Sequence, residues 1–178
     1  MPHFPGKTVR RLAGESRGAE IAEAAAVLPI MFMILVGIFW FGQAFSIYGT
    51  ITRAAQEGAR AAAAPQCSTC TPVVASTNAS NAVVAALAAA RLDPANLHRP
   101  ATTPSLFSCV DGSAVACDGS PSNMCVQENV QLSTGTTQQV CGVSVSLQYP
   151  FRFWLPFTSL NKQTIQLNAS ARVRRETM

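Results

Sequence analysis

The chain has 178 residues and a net charge of +4, enough for one ordinary domain with an appendage. Charged residues are 12% of the chain and hydrophobic ones 48%, which excludes a highly charged disordered tail. The small, unclustered positive charge excludes a basic nucleic-acid binder. Two histidines, His3 and His98, leave little material for His-based catalysis or a His-rich metal site.

Residues 1–18 form a polar leader carrying Pro2, Pro5, Gly6, Gly14 and Gly18, for which no stable structure is expected. From Ala24 to Thr52 there is no charged residue, a run of 29. About 20 apolar residues suffice to cross a bilayer as a helix, and a secretory signal would need only about 7–15. Phe39, Trp40, Phe41, Phe45 and Tyr48 gather toward the far end, as an interfacial aromatic belt does. Lys7, Arg10, Arg11 and Arg17 precede the run, so the leader stays cytoplasmic and the remainder is extracytoplasmic.

Helix-forming residues continue to Ala64, before Pro65. A helix from Glu20 to Ala64 spans roughly 68 Å at about 1.5 Å per residue, its last third projecting from the membrane. Pro29 is expected to kink it or remove one hydrogen bond. In the extension Ile51, Ala54, Ala55, Gly58, Ala59 and Ala62 recur at three- and four-residue spacing, with Arg53, Glu57 and Arg60 on another face.

Residues 65–178 then make a small α+β head with an antiparallel sheet. A second helix is expected over Ser76–Leu92, with Ser, Thr and Asn as N-caps and Asp93-Pro94 as its stop. Residues 94–135 read as loop. Val143, Val145, Leu147 and Tyr149 share one strand face, and Ile165, Leu167, Ala169, Ala171 and Val173 share another. The Pro-broken segment YPFRFWLPF between them reads as a hydrophobic loop rather than a central strand.

Six cysteines, Cys67, Cys70, Cys109, Cys117, Cys125 and Cys141, all follow the span. An even number on one side of a membrane fits disulfides in an oxidising compartment. Six cysteines allow 15 connectivities. Spacing favours Cys67–Cys70, Cys117–Cys125 and Cys109–Cys141. Cys67-Ser-Thr-Cys70 lies in a linker, without the strand–helix context of a redox motif or a second C-x-x-C for zinc. Phosphate-binding, dinucleotide and nucleophile-elbow glycine patterns are absent from the sequence. No enzyme activity, cofactor or metal is expected.

The junction Arg17-Gly18-Ala19-Glu20-Ile21-Ala22-Glu23 carries the function. A cut between Gly18 and Ala19 would make Glu23 the fifth residue of the new chain. A carboxylate in lipid costs several kcal/mol unless paired, and the freed α-amino group of a neighbouring subunit is a suitable partner. The alternative cut after Gly14 places Ala19 at that position. This arrangement resembles a prepilin. More specifically, the chain resembles the TadE-like family of minor pilins of the Tad/Flp tight-adherence pilus. The resemblance rests on Arg17-Gly18, Glu23, Leu28-Pro29, Gly37-Ile38, Phe41-Gly42 and the stretch Arg53 to Arg60, which ends Glu57-Gly58-Ala59-Arg60.

The resemblance implies cleavage at Gly18–Ala19 by a prepilin peptidase and assembly through Glu23 and Pro29. It implies a single-pass inner-membrane protein acting in pilus assembly for adhesion or secretion. Implied partners are other minor pilins, the major pilin and the inner-membrane platform proteins. Two alternatives remain at this point: an uncleaved membrane-anchored binding module, and a tethered thiol-disulfide protein.

Overall fold

The computed structural model describes residues 16–64, 74–117, 122–133, 140–152 and 164–175. Two compact units divide the chain, residues 1–43 and 44–178. Helix α1, Ser16–Ala63, runs through both. Its first turn includes Ser16 to Gly18, which sequence reading assigned to an unstructured leader. The helix formers Ala19, Glu20 and Ile21 follow directly and carry the ladder back. Pro29 lies inside the helix. Only one ladder bond is lost there, and the assignment continues unbroken.

In the first unit no described residue of α1 is buried. Ile21, Leu28, Phe32, Met33 and Phe41 are all more than 60% exposed. Over residues 20–63 the helix is long and apolar enough to cross a membrane.

The second unit contains the end of α1, helix α2 (Ala75–Ala89) and a sheet of β3 (Cys125–Gln131), β4 (Cys141–Arg152) and β5 (Thr164–Arg174). The order is β3-β4-β5, antiparallel throughout. A two-stranded ribbon, β1 (Leu106–Phe107) and β2 (Ala114–Val115), precedes it. Its connecting turn holds Asp111, whose carboxyl lies below the usual range because the Ser108 and Ser113 side chains hydrogen-bond to it.

Helix α2 opens at Val74 with no side-chain cap, against the expected Ser, Thr or Asn. It also stops before the expected Asp93-Pro94. Arg91 takes the left-handed conformation, φ 59°. The Leu92 amide donates to the Leu87 carbonyl and the Arg91 amide to the Ala88 carbonyl, both at 3.0 Å. This is a Schellman ending with Arg in the position glycine usually takes. Leu87 and Leu92 supply its apolar contact at the core. Asp93 caps the following 3-10 turn, Pro94–Asn96, instead.

One sheet face carries Val126, Val143, Val145, Leu147, Tyr149, Ala169 and Ala171, and it forms one core with Ile51, Ala54, Ala55 and Ala59 of α1 and Ala79, Val83 and Leu87 of α2. The alternation read from the sequence sets the β4 and β5 contributions. The opposite face is mixed, with Gln127, Ser144 and Ser146 buried beside Cys125 and Val130. The segment before β3 covers part of it: the Gln127 amide donates to the carbonyls of Val115 (2.7 Å) and Pro104 (3.3 Å).

Strand β3 corrects the reading of 94–135 as loop. Its register shifts between Gln127 and Val130, and Asn129 has φ 54°. The bulge inserts one residue, so Val126 and Val130 face opposite sides and the period-2 signal disappears. A second correction concerns Pro150, which lies within β4 opposite Gln166. Strand β4 is central only where β3 pairs with it, up to Ser146. Gln148 exchanges both main-chain bonds with His98, so even-numbered β4 residues turn their main-chain groups away from β5. Pro150 therefore removes no bond to β5. Residues 153–157 of the same apolar segment lie outside the described residues.

Disulfides join Cys109 to Cys141 and Cys117 to Cys125, two of the pairings favoured by spacing. Closing loops with separations of 32 and 8 residues restricts the unfolded chain by roughly 4 and 2.5 kcal/mol in the chain-entropy account. Cys67 and Cys70 lie outside the described residues.

Candidate functional site

The candidate site is α1 itself. Gly18 lies in its first turn, exposed, with open space around its α-carbon. Glu23 follows one and a half turns later and is also exposed, like Glu20 and Ile21. The structure places Gly18, Ala19 and Glu23 on one continuous helix. Glu23 is followed immediately by apolar helix from Ala24 onward. In the first unit the helix therefore presents Glu23 at the head of an uncharged, unpacked surface. Phe39 and Trp40 meet edge to face, ring centroids 5.7 Å apart.

The Glu57–Arg60 stretch lies in the second unit and does different work. Glu57 and Arg60 form an exposed ion pair at 3.0 Å, which contributes little to stability. Gly58 and Ala59 point the other way and are buried. A Cβ on Gly58 would come within 2.6 Å of Val83 Cγ2 and 3.3 Å of the Ala79 carbonyl oxygen. Glycine thus sets the close approach of α1 to α2. The predicted stripe of Ile51, Ala54, Ala55, Gly58, Ala59 and Ala62 is the buried face of this half of α1. Sequence reading had this half projecting from the membrane. This half packs into the head, because six small or apolar residues on one face match the sheet's own apolar face.

Gly58→Ala follows from this geometry as a measurable effect. Alanine gains about 1 kcal/mol in helix propensity, but its methyl must displace a stiff, buried valine. Overpacking of this kind costs about 1–3 kcal/mol. The head is expected to lose stability on balance in urea unfolding of the detergent-solubilised protein. A more stable variant would contradict the packing role.

Residues 18–60 match the TadE-like protein family. The TadE-like segment begins at the glycine beside the candidate cut and ends at Arg60, so it spans the exposed and the buried halves of α1. It associates the chain with the Tad pilus system. Comparison with curated proteins and with solved structures gives no match. Outside the TadE-like segment, sequence reading missed the buried polar groups on the second sheet face, Gln127, Ser144 and Ser146. Ser144 and Ser146 alternate with Val143, Val145 and Leu147, a signal legible in the strand pattern. Gln127 is hidden by the bulge.

Proposed function

We propose that the chain is a minor pilin of a Tad-type pilus, held in the cytoplasmic membrane by α1 with its head on the extracytoplasmic side. A prepilin peptidase cuts between Gly18 and Ala19. The mature helix then leaves the bilayer and joins a bundle of similar helices, with Glu23 paired to the α-amino group of a neighbouring Ala19. The protein acts as an assembly part and not as a catalyst. Its partners are other minor pilins, the major pilin and the inner-membrane platform.

The observation that carries this reading is the TadE-like match starting at Gly18, on a helix whose first half is apolar and unpacked. Such a surface needs lipid or other helices around it. Small residues Gly37, Gly42 and Gly49 along it, each with open space at the α-carbon, allow close helix approach in either setting. The head offers the disulfides of an oxidising compartment.

The experiment is deletion of the gene from a strain that makes Tad fibres. Surface fibres should disappear and return with the wild-type gene. Undiminished fibres in the deletion strain would remove the assembly role.

A further inference from the structure

The two edges of the head's sheet are finished differently. Outside β3, Ser108 bridges to Val130 and the Cys109 amide donates to the Asn129 carbonyl at 2.8 Å. Outside β5 there is no pairing strand among the described residues.

Register fixes what β5 shows at that edge. Odd-numbered β4 residues turn their main-chain groups toward β5, where Val145, Leu147 and Tyr149 face Ala171, Ala169 and Leu167. Residues in such antiparallel pairs exchange both hydrogen bonds. The N–H and C=O groups of Gln166, Asn168, Ser170 and Arg172 consequently point outward, away from the sheet. The strand has 11 residues and contains no proline. Natural edges of this length are normally blunted.

A pocket of about 310 Å³ adjoins this edge, lined by Thr102, Thr103, Ser146, Asn168 and Ser170 between Pro100 and Pro104. Ser146 lies directly across from Ser170. It is 3% exposed, and its Oγ has no hydrogen-bond partner among the described residues. A buried hydroxyl without a partner costs free energy, so a polar group entering the pocket would be rewarded. The lining itself is uncharged. Arg172 and Arg174 continue the same face of β5, both exposed, and the strand carries no acid.

We propose that the outer edge of β5 takes an extended acidic peptide as a fourth strand, with side chains on one of its faces seated in the hydroxyl-lined pocket. Main-chain groups of Asn168 and Ser170 bind the peptide backbone, and Arg172 and Arg174 pair with its carboxylates. The charge pattern selects this occupant over a second copy of the chain. A copy would bring its own Arg172 and Arg174 to the same edge, with no acid on the strand to meet them. The inference stands independently of the Tad-pilus reading.

The test uses the full chain in detergent micelles. The probe is a labelled nine-residue peptide alternating Glu and Val, with two comparators: a Lys/Val peptide and the Glu/Val peptide N-methylated at alternate main-chain nitrogens. The Glu/Val peptide should bind saturably and slow hydrogen exchange at the Asn168 and Ser170 amides. Both comparators should bind far more weakly. The double variant Arg172→Glu, Arg174→Glu should lose about tenfold or more in affinity, while the Val145 and Leu147 amides stay slow to exchange, showing an intact fold. Asn168→Pro, which removes one outward N–H, should also weaken binding. Equal binding of either comparator, or no saturable binding of the Glu/Val peptide, would overturn the proposal. Protection of these amides that rises with protein concentration without peptide would overturn it in favour of self-pairing.

Discussion

Glu23→Gln is expected to leave cleavage intact and to reduce surface fibres by about tenfold or more. The reasoning concerns what the side chain must do in two environments. In the bilayer an ionised carboxylate at the start of an apolar helix costs several kcal/mol unless it is paired. Glutamine removes that cost, so the variant sits in the membrane at least as well as the parent. In the proposed helix bundle the same position would meet the α-amino group that a cut before Ala19 frees. Glutamine accepts one hydrogen bond there but leaves a buried positive charge without a counter-ion. Removing one partner of a buried pair costs about 3–5 kcal/mol, more than two factors of ten in an equilibrium. Glu23→Asp keeps the charge and should retain part of the activity. Glu20→Gln, at position two of the mature chain, should change fibre number little. The measurement is fibre counting by electron microscopy in the complemented deletion strain, with intact mass of the membrane-extracted protein beside it. Normal fibres with Glu23→Gln would remove the pairing role.

Ile51→Ala is expected to destabilise the head by about 2–4 kcal/mol, whereas Ile38→Ala should leave head stability unchanged. Both residues lie on α1, yet Ile51 is fully buried and Ile38 is 64% exposed. Ile51 belongs to the core shared with α2 and the sheet, and truncating a buried isoleucine leaves a cavity as well as lost apolar contact. Ile38 has no such neighbours in the first unit. A loss of this size lowers the melting temperature of a domain of about 100 residues by about 10 °C or more. Urea or thermal unfolding in one detergent, with both variants side by side, measures the contrast. Equal losses for the two would mean that the halves of α1 do not differ in the way the burial pattern requires.

Much of this arrangement is legible in the residues, and the exceptions have identifiable causes. The uncharged run after Glu23 and the small-residue spacing from Ile51 to Ala62 are strong helical signals, and each half of α1 follows its own pattern. The alternation in β4 and β5 survives because neither strand is bulged, so the core faces of Val145 and Ala171 can be read directly. Strand β3 is not legible, because Asn129 in the left-handed region puts Val126 and Val130 on opposite sides. Pro150 misled for a geometric reason: a strand can be central at one end and half-paired at the other, and only the His98 bridge shows which way its missing N–H points. The end of α2 was misplaced because Arg91, not a glycine, adopts the left-handed turn. In the candidate site, Gly18 and Glu23 are visible as a spacing, and Gly58 as part of a motif. That Gly58 serves the contact with Val83 follows only once α2 is folded back on α1.

The measurement that tests the central claim most directly is the N-terminus of the membrane-extracted protein, by intact mass and N-terminal peptide analysis, in cells with an active prepilin peptidase. The account predicts a mature chain beginning at Ala19, and a Gly18→Leu variant that keeps its leader. A wild-type chain still beginning at Met1 or Pro2 in those cells would contradict it, and would leave α1 as a permanent anchor for the head.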